Sequence, residues 1–245
     1  MKHIVNCIIA VLCLVVILAA SPLEGQEIKP AAKGEMGMGY FMLGYDIPDL
    51  GELNSVLKTA GYPTFSDQFI TLGGGGHSMV HCFILGGEGH AMVGDDQSVI
   101  LGETEYKVNL SGAYGFFDIG FAVISTPRFH LYPFLGIGGG GYTLQITKND
   151  KPTFDSVLVN PGLNSNLSSG GFMLQVGVGL DYFLPVSERE DGVGGPVIGL
   201  RAGYLLTPIK GDWILQDTEI LGGPNLGIKG PYVRLMLGGG GSSRH

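Results

Sequence analysis

Apolar and polar side chains alternate with a period of two along much of the chain. In the segment 172–183, one face carries Phe172, Leu174, Val176, Val178, Leu180 and Tyr182, and the other carries Met173, Gln175, Gly177, Gly179 and Asp181. The segments 196–205 and 232–237 alternate in the same way. This period predicts β-strands, because successive side chains of a strand point to opposite faces of a sheet.

Eight such strands can be placed along the chain. We expect them at 34–45, 67–78, 81–93, 104–124, 129–147, 169–184, 195–209 and 229–240. A ten-residue strand at ~3.3 Å per residue, tilted by about 40°, spans roughly 25 Å, which is the height of the apolar band of an outer-membrane barrel. The alternation is interrupted at Phe116-Phe117 and at 138–141, where a bulge or kink is expected. Ten strands is the alternative, if a hairpin lies within 94–103 or 210–228.

The face that points outward distinguishes a soluble barrel from a membrane barrel. One face of each strand is apolar, and the other is mostly glycine with single charged residues such as Arg201 and Arg234. An arginine facing lipid at the middle of a bilayer costs about 2–4 kcal/mol, so we place both arginines inside the barrel. Glycine also suits the interior, because about eight strands leave a narrow lumen. We therefore predict an all-β fold, a closed antiparallel transmembrane β-barrel whose apolar face contacts the lipid bilayer.

The composition agrees with this class of protein. Glycine makes up 43 of the 245 residues, against roughly 7 % in average proteins, and it lacks the Gly-X-Y period of collagen. After residue 25 there is no run of 18 consecutive apolar residues, so a transmembrane helix is not expected there. The formal net charge of −8 argues against nucleic acid as a partner.

The N-terminus predicts export. Lys2 precedes an apolar run from Ile4 to Ala20, and a short segment up to Gly25 follows it, which is the pattern of a secretory signal peptide. We expect a signal at 1–25, cleaved after residue 20 or 25, and a single barrel domain at 26–245. A retained membrane helix is the alternative, because the run is at the lower limit of about 17–25 residues. Cys82 is the one cysteine left after cleavage, so no intramolecular disulfide is expected.

The predicted connections alternate in length. The short to medium ones are at 79–80, 125–128 and 185–194, and the mostly longer ones are at 46–66, 94–103, 148–168 and 210–228. Outer-membrane barrels have short periplasmic turns and long external loops. The alternation therefore predicts that both termini lie in the periplasm.

The first long connection is predicted to contain a helix. Asp49 is a suitable N-cap, Glu52 completes a capping box, and Gly61 can end the helix. An apolar stripe runs along it, formed by Leu50, Leu53, Val56, Leu57 and Ala60. Two interpretations follow from this stripe. The helix packs over the rim of its own barrel, or Leu50, Leu53, Val56 and Leu57 bind a protein partner.

Charged residues on the glycine-rich face form the first candidate site. Glu88, Asp181, Arg201 and Arg234 fall on predicted inner faces, and Lys107 is a further candidate. A buried charge without a partner is costly, so we expect these residues to pair. One interpretation is a structural salt-bridge network that fills the lumen. The other is a selectivity or gating site of a small pore.

A second group of residues offers weaker chemistry. His77, His81, Cys82, Glu88 and His90 surround one predicted hairpin, but their spacing matches no standard zinc site. We expect no metal and no cofactor. A lipid-modifying enzyme would require His90 to meet Ser98 and Glu88 near the rim. The chain carries no nucleophile-elbow motif, so we predict a protein that is not an enzyme.

Aromatic residues near predicted strand ends are expected to form girdles at the membrane interfaces. These residues are Tyr40, Phe41, Tyr45, Tyr106, Tyr142, Tyr182, Phe183 and Tyr204.

Glycine-rich strands and the last strand carry a family resemblance. The strands at 69–76 and 133–142 each contain four consecutive glycines, and the last strand has Gly230, Val233, Leu235 and Leu237 at the spacing of a barrel-assembly signal. With the signal peptide and the loop asymmetry, residues 26–245 resemble the small outer-membrane β-barrel proteins of the OmpA/OmpW/Opa-like class. The chain departs from the class by not ending on an aromatic residue.

The resemblance implies a location in the bacterial outer membrane and specifies no activity. A structural role, or the binding of a protein partner in the cell envelope through the external loops, is the leading expectation. A narrow channel for small or apolar solutes is the alternative.

Overall fold

The computed structural model describes residues 35–148, 153–159, 164–189 and 192–243. The predicted signal peptide at 1–25 lies outside these residues. In chain order the elements are β1 (Met36–Asp46), α1 (Gly51–Thr59), β2 (Phe69–Val80), β3 (Phe83–Leu101), β4 (Thr104–Phe121), β5 (Ile124–Ser125), β6 (Phe129–Lys148), α2 (Phe154–Val159), β7 (Asn164–Phe183), β8 (Ser187–Arg189), β9 (Gly192–Lys210), β10 (Trp213–Leu215), β11 (Thr218–Ile220) and β12 (Gly230–Ser243).

Eight of the strands close into one antiparallel ring. Around the ring the order is β12, β1, β2, β3, β4, β6, β7 and β9, and β9 pairs again with β12. The predicted fold, a closed antiparallel barrel of eight strands, is confirmed. The ten-stranded alternative is wrong. The segment 94–103 extends β3 to Leu101 and turns into β4, and the hairpin within 210–228, β10–β11, pairs with β7 outside the ring.

Most strand boundaries agree with the prediction to within a few residues, but two hairpins are longer than expected. β3 continues to Leu101, and β7 begins at Asn164. These extensions project beyond the other strands of the ring. The β1–β2 pairing, for example, ends at Asp46 and Phe69. Their outer faces carry exposed polar residues such as Ser98. The apolar alternation that marks a membrane strand is therefore absent from these extensions.

The bulges predicted at Phe116-Phe117 and at 138–141 are wrong, because the register shifts of the barrel lie elsewhere. β4 and β6 pair without interruption from Tyr106 and Lys148 to Gly120 and Phe134. Phe116 faces the lumen and Phe117 faces outward, so adjacent aromatic residues do not break the alternation when both faces accept large side chains. The register shifts occur instead between β3 and β4 at Met92/Asp95, and between β7 and β9 at Phe172/Leu174.

The two ends of the barrel differ. We call the end with the β2–β3, β4–β6 and β7–β9 connections the turn end. The ring begins and ends near it, where Met36 of β1 pairs with Ser242 of β12. The opposite end, with the β1–β2, β3–β4, β6–β7 and β9–β12 connections, is the loop end, and it carries both helices. In the described part of the chain, neither helix is long and apolar enough to span a bilayer.

The polarity of the barrel is the reverse of that of a soluble protein. Every ring strand exposes large apolar side chains on its outer face, among them Phe41, Ile70, Phe83, Phe117, Leu135, Val178, Leu206 and Leu237. The inner faces bury charged residues, including Asp118, Asp181, Arg201 and Arg234. The barrel interior is therefore where the polar chemistry of this fold is concentrated.

Candidate functional site

Two arginines lie side by side in the middle of the lumen. Arg201 of β9 and Arg234 of β12 are direct partners in the strand register, and both are completely buried. Like charges directly opposite each other on neighbouring strands destabilise a sheet. This pair therefore requires an anion between the two guanidinium groups.

Glu88 supplies that anion from the opposite wall. Its Oε2 accepts a hydrogen bond from Nη1 of Arg201 at 2.5 Å, and its Oε1 accepts one from Nη1 of Arg234. One carboxylate thus bridges both guanidinium groups. Charge-assisted hydrogen bonds of this kind are about twice as strong as neutral ones.

Two further residues complete what we call the lumen network, which consists of Glu88, Asp118, Gln175, Arg201 and Arg234. Oδ2 of Asp118 accepts from Nη1 of Arg201 at 2.8 Å. Nε2 of Gln175 donates to Asp118 at 2.6 Å and to Glu88 at 2.9 Å, while its Oε1 accepts from Arg234 at 3.1 Å. Each member of the network is at most 6 % exposed, so the side chains fill the lumen at this level.

The network extends toward the turn end through His77. Nη2 of Arg201 lies 3.0 Å from the Tyr40 hydroxyl and 3.1 Å from Nδ1 of His77. A guanidinium group can only donate, so Nδ1 of His77 must accept, and we assign its single proton to Nε2. Nε2 lies 3.2 Å from Asp181, which also accepts from the Tyr132 hydroxyl at 3.3 Å.

The network extends toward the loop end through Tyr114. The Tyr114 hydroxyl accepts from Nη2 of Arg234 at 3.2 Å and donates to Oδ2 of Asp46. The ring of His90 stacks on that of Tyr114 with centroids 5.1 Å apart, and Nε2 of His90 lies 3.3 Å from Glu88. A polar column thus runs through the barrel from Asp181 to Asp46.

An apolar layer covers the loop end of this column. We call it the apolar cap, and it consists of Leu50, Leu53, Leu57, Phe65, Trp213, Leu226 and Ile228, which belong to one buried cluster. The cap comes from α1 with its flanking residues Leu50 and Phe65, and from the connection between β9 and β12. The backbone N–H of Asn225 donates to the Glu52 carboxylate at 3.0 Å and links the connection to α1. Within the connection, the indole N–H of Trp213 donates to the Pro224 carbonyl at 2.7 Å.

Helix α1 forms where it was predicted, but its N-terminus is built differently. Leu50 occupies the N-cap position and makes no capping bond with its side chain, and Asp49 accepts from the Gly51 amide at 3.1 Å. Glu52 does not complete a capping box, because it binds Asn225 instead. Gly61 ends the helix as predicted, with φ +81° and the paired hydrogen bonds of a Schellman motif.

The structure brings most of the predicted site residues together. Glu88, Arg201 and Arg234 are in direct contact, and Asp181 is linked to Arg201 through Tyr132. Lys107 is not part of the lumen, which corrects that assignment. It is an odd-numbered residue of β4, whose even-numbered residues face inward, and it is exposed.

The candidate residues for partner binding are divided between two roles. Leu50, Leu53 and Leu57 are buried in the apolar cap, whereas Val56 is 48 % exposed. The packing interpretation therefore accounts for three of these four residues. Only the Val56 side of the helix is open to a partner.

Several residues of the site were not predicted from the sequence. Asp118 lies two residues after Phe116 on the inner face of β4, so the alternation of side chains along the strand would have identified it. Asp46 lies one residue beyond the predicted end of β1. Tyr40 and Tyr142 were assigned to the interfacial girdles, but both are buried inside the barrel. Their even positions on β1 and β6 place them on the inner face.

The geometry of the described residues does not support the lipid-modifying enzyme or the metal site. His90 and Ser98 lie eight residues apart on β3, which corresponds to roughly 25 Å along a strand, so they cannot form a catalytic pair. His81 and Cys82 are exposed at the turn end, away from the buried His77 and His90. Within the described residues, no group of three or more His, Cys, Asp or Glu side chains could hold a metal ion.

Comparisons with known proteins give a likeness of fold. No protein-family model matches the chain, and no curated protein sequence matches it. Among solved structures, Ail, the attachment invasion locus protein of Yersinia pestis, is similar at 12 % identity with a TM-score of 0.42, covering 86 % of this chain and 99 % of that one. Ail in complex with the heparin analogue sucrose octasulfate has 13 % identity and a TM-score of 0.40, with the same coverage.

Proposed function

We propose that this protein spans the outer membrane of a Gram-negative bacterium as a closed, non-conducting barrel and binds a partner at its loop end. The observation that carries the proposal is a lumen filled by the lumen network and covered by the apolar cap. Elaborated loops above a filled barrel favour a surface function over transport. The export signal at 1–25 and a mature chain from residue 26 belong to the same proposal.

The membrane location rests on the outer face of the barrel. Large apolar side chains, which we call the apolar belt, are exposed on all eight ring strands, whereas soluble monomers rarely expose contiguous apolar patches of more than a few hundred Å². On β7 the belt runs from Phe172 to Tyr182, which spans about 25 Å at the usual strand tilt. Membership of the OmpA/OmpW/Opa-like class, with the termini in the periplasm, is consistent with this belt and with the long connections at one end.

A structural role for the lumen charges follows from their pairing. Arg201 and Arg234 both bind Glu88, and breaking such a buried pair leaves an uncompensated charge. A gating role would require water on one side of these residues. Their burial favours a role in holding the barrel walls together, and Asp181 contributes through Tyr132 and His77.

The charge of the loop end indicates the chemistry of the partner. Among the described residues at the loop end there are ten exposed carboxylates, five lysines and no arginine. The carboxylates are Asp49, Glu52, Asp67, Asp96, Glu103, Glu105, Asp155, Asp212, Asp217 and Glu219. Such a surface attracts a cationic partner and repels a polyanion. We therefore propose a basic protein segment as the partner, in contrast to the sulfated sugar analogue bound by Ail.

The β10–β11 hairpin is the strongest candidate for the contact. It combines the exposed acids Asp212, Asp217 and Glu219 with Leu221, which is 95 % exposed. An apolar side chain among carboxylates matches an amphipathic basic segment. The exposed Val56 side of α1 adds a second apolar contact at the same end of the barrel.

Two measurements on the full-length mature protein test the proposal. In planar lipid bilayers we expect no single-channel currents. In nanodiscs we expect a lysine-rich peptide to bind, and D212N/D217N/E219Q to weaken that binding severalfold, whereas sucrose octasulfate should not bind. Lys58→Gln is the opposite-sign control and should strengthen peptide binding.

Either of two results would contradict the proposal. Open-channel currents in the wild-type protein would favour the narrow-channel alternative. Equal peptide affinity of the wild type and the triple variant would remove the assignment of a cationic partner.

A further inference from the structure

The polarity of the barrel wall inverts along β4, β6 and β7. Within the apolar belt the outer face carries Phe117, Ile137 and Leu174, which form one row of the strand register. Nearer the loop end it is the inner face that is apolar, since Val108 and Leu110 of β4 are completely buried there. The upper parts of these strands therefore form a sheet of the kind found in soluble proteins, with an apolar inner side and a polar outer side.

The outer face becomes polar at the same level on all three strands. In the strand register Ala113, Gly141 and Gly170 form the last row without a polar side chain. The next three rows toward the loop end are polar, and we call them the polar face. From the belt upward they are Ser111, Thr143 and Ser168, then Asn109, Gln145 and Asn166, and finally Lys107, Thr147 and Asn164. Because the nine residues are register neighbours on one side of three adjacent strands, they form a single surface.

The polar face differs in charge from the rest of the loop end. Eight of its nine side chains are neutral amides or hydroxyls, Lys107 is the ninth, and none of them is buried. Exposed positions elsewhere at this end are rich in carboxylates, including Asp96 and Glu105 at the margin of the face. Recognition of anionic phosphate groups relies on clusters of lysine and arginine. The polar face therefore suits a partner that offers neutral hydroxyl groups.

The polar face begins where the apolar belt ends, so its lowest row lies at the level of the lipid headgroups. From Ala113 to Lys107 the strand β4 advances by six residues, which is about 20 Å along the strand and roughly 15 Å in height at a tilt near 40°. The headgroup region of a phospholipid leaflet is only about 5–8 Å thick. The upper rows therefore lie beyond phospholipid headgroups, and only a lipid with a larger headgroup reaches them.

We propose that the polar face binds the saccharide headgroup of a glycolipid in the outer leaflet, whose acyl chains lie against the apolar belt. Sugar hydroxyls donate and accept hydrogen bonds, and so do the amides and hydroxyls of this face. Two hydrogen bonds orient the amides in advance, from Asn109 to Asp96 at 2.6 Å and from Thr147 to Asn164 at 3.2 Å. The inference rests on the proposed function for the membrane and for the outward orientation of the loop end.

Side-chain amide signals in NMR spectra of the full-length mature protein give a direct test that needs no variant. In phosphatidylcholine nanodiscs, we expect the signals of Asn109, Gln145 and Asn166 to shift when lipopolysaccharide with a complete core saccharide is incorporated. Lipid A, which carries acyl chains and phosphates without the core saccharide, should not shift them. The amide of Asn225, which is exposed at the same end but lies in the β9–β12 connection, should keep its position with both lipids.

A triple variant measures the contribution of the middle row. N109A/Q145A/N166A should reduce severalfold the amount of lipopolysaccharide that co-purifies with the folded barrel in detergent, and Asn225→Ala should leave it unchanged. Unshifted amides, equal shifts with lipid A or with the free core saccharide, or equal co-purification of the two variants would overturn the proposal. Peptide binding and conductance are measured without lipopolysaccharide, so a failure of the proposed function is distinguished from a failure of this inference.

Discussion

The lumen network and the apolar cap close the same barrel by different physical means. The network consists of five polar side chains whose hydrogen bonds depend on one another, so the loss of one member leaves others buried without a partner. The cap consists of apolar side chains from loops, and each contributes by the area that it removes from water. The interior is therefore cooperative at its centre and additive at its loop end.

The largest effect is expected when the centre of the network is removed. Glu88→Ala removes the carboxylate that bridges Arg201 and Arg234, and breaking a buried ion pair costs about 3–5 kcal/mol. We expect a much lower midpoint of urea unfolding from lipid vesicles. Glu103→Ala, an exposed glutamate at the tip of the β3–β4 hairpin, is the control and should change little. A small effect of Glu88→Ala would show that the network is not cooperative.

Alanine substitutions in the apolar cap should lower the free energy of unfolding in proportion to the burial of the side chain that is removed. Leu53 is 2 % exposed and Val56, three residues later on the same helix, is 48 % exposed. Leu53→Ala should lower the free energy of unfolding by about 2–5 kcal/mol, whereas Val56→Ala should stay within about 0.5 kcal/mol. Thermal unfolding followed by gel mobility measures both. Similar losses in the two variants would mean that α1 does not pack as a cap.

Glycines provide a finer test of how tightly the network fills the lumen. Gly179 is the register partner of Arg201, and a Cβ atom there would lie 2.3 Å from Cζ of Tyr132. On the outer face, a Cβ atom on Gly89 would meet nothing within 4 Å. Gly179→Ala should therefore destabilise the barrel by about 1–3 kcal/mol, and Gly89→Ala should be nearly neutral in the same urea titration. Equal effects would indicate spare room inside.

The smallest effect is expected at Lys107. Its side chain is exposed on the outer face of the β3–β4 extension, outside both the network and the cap. Lys107→Gln should change the free energy of unfolding by no more than about 0.5 kcal/mol in the urea titration. A loss comparable to that of Glu88→Ala would return Lys107 to the lumen network.

The ring could be predicted from the sequence because the membrane constrains each strand locally. A strand between lipid and lumen must alternate, so β1, β6 and β12 were found within a few residues. Because a charged side chain in lipid is costly, Arg201 and Arg234 could also be predicted to face the lumen. The extensions of β3 and β7 were missed because they rise above the apolar belt, where both faces can be polar.

The pairing inside the lumen could not be predicted in the same way. The alternation of side chains places a residue on the inner face of its strand, but it does not predict which residue of the opposite wall it contacts. Glu88 meets Arg201 and Arg234 across sequence separations of 113 and 146 residues. The closure of the ring and its register decide these partners. The position of α1 likewise depends on a second loop, which supplies Leu226 and Asn225.

The bridging position of Glu88 has a consequence for the order of events during folding. Its carboxylate comes from the third strand of the ring, and its two partners come from the seventh and the last. The bridge therefore cannot form until nearly the whole chain has been synthesised and the final strand has joined the first. Contacts of such long range form slowly, because the closure entropy must be overcome before they contribute. An incomplete barrel keeps its arginines in water and gains nothing from burying them, so completion of the ring and dehydration of its interior should occur as one step.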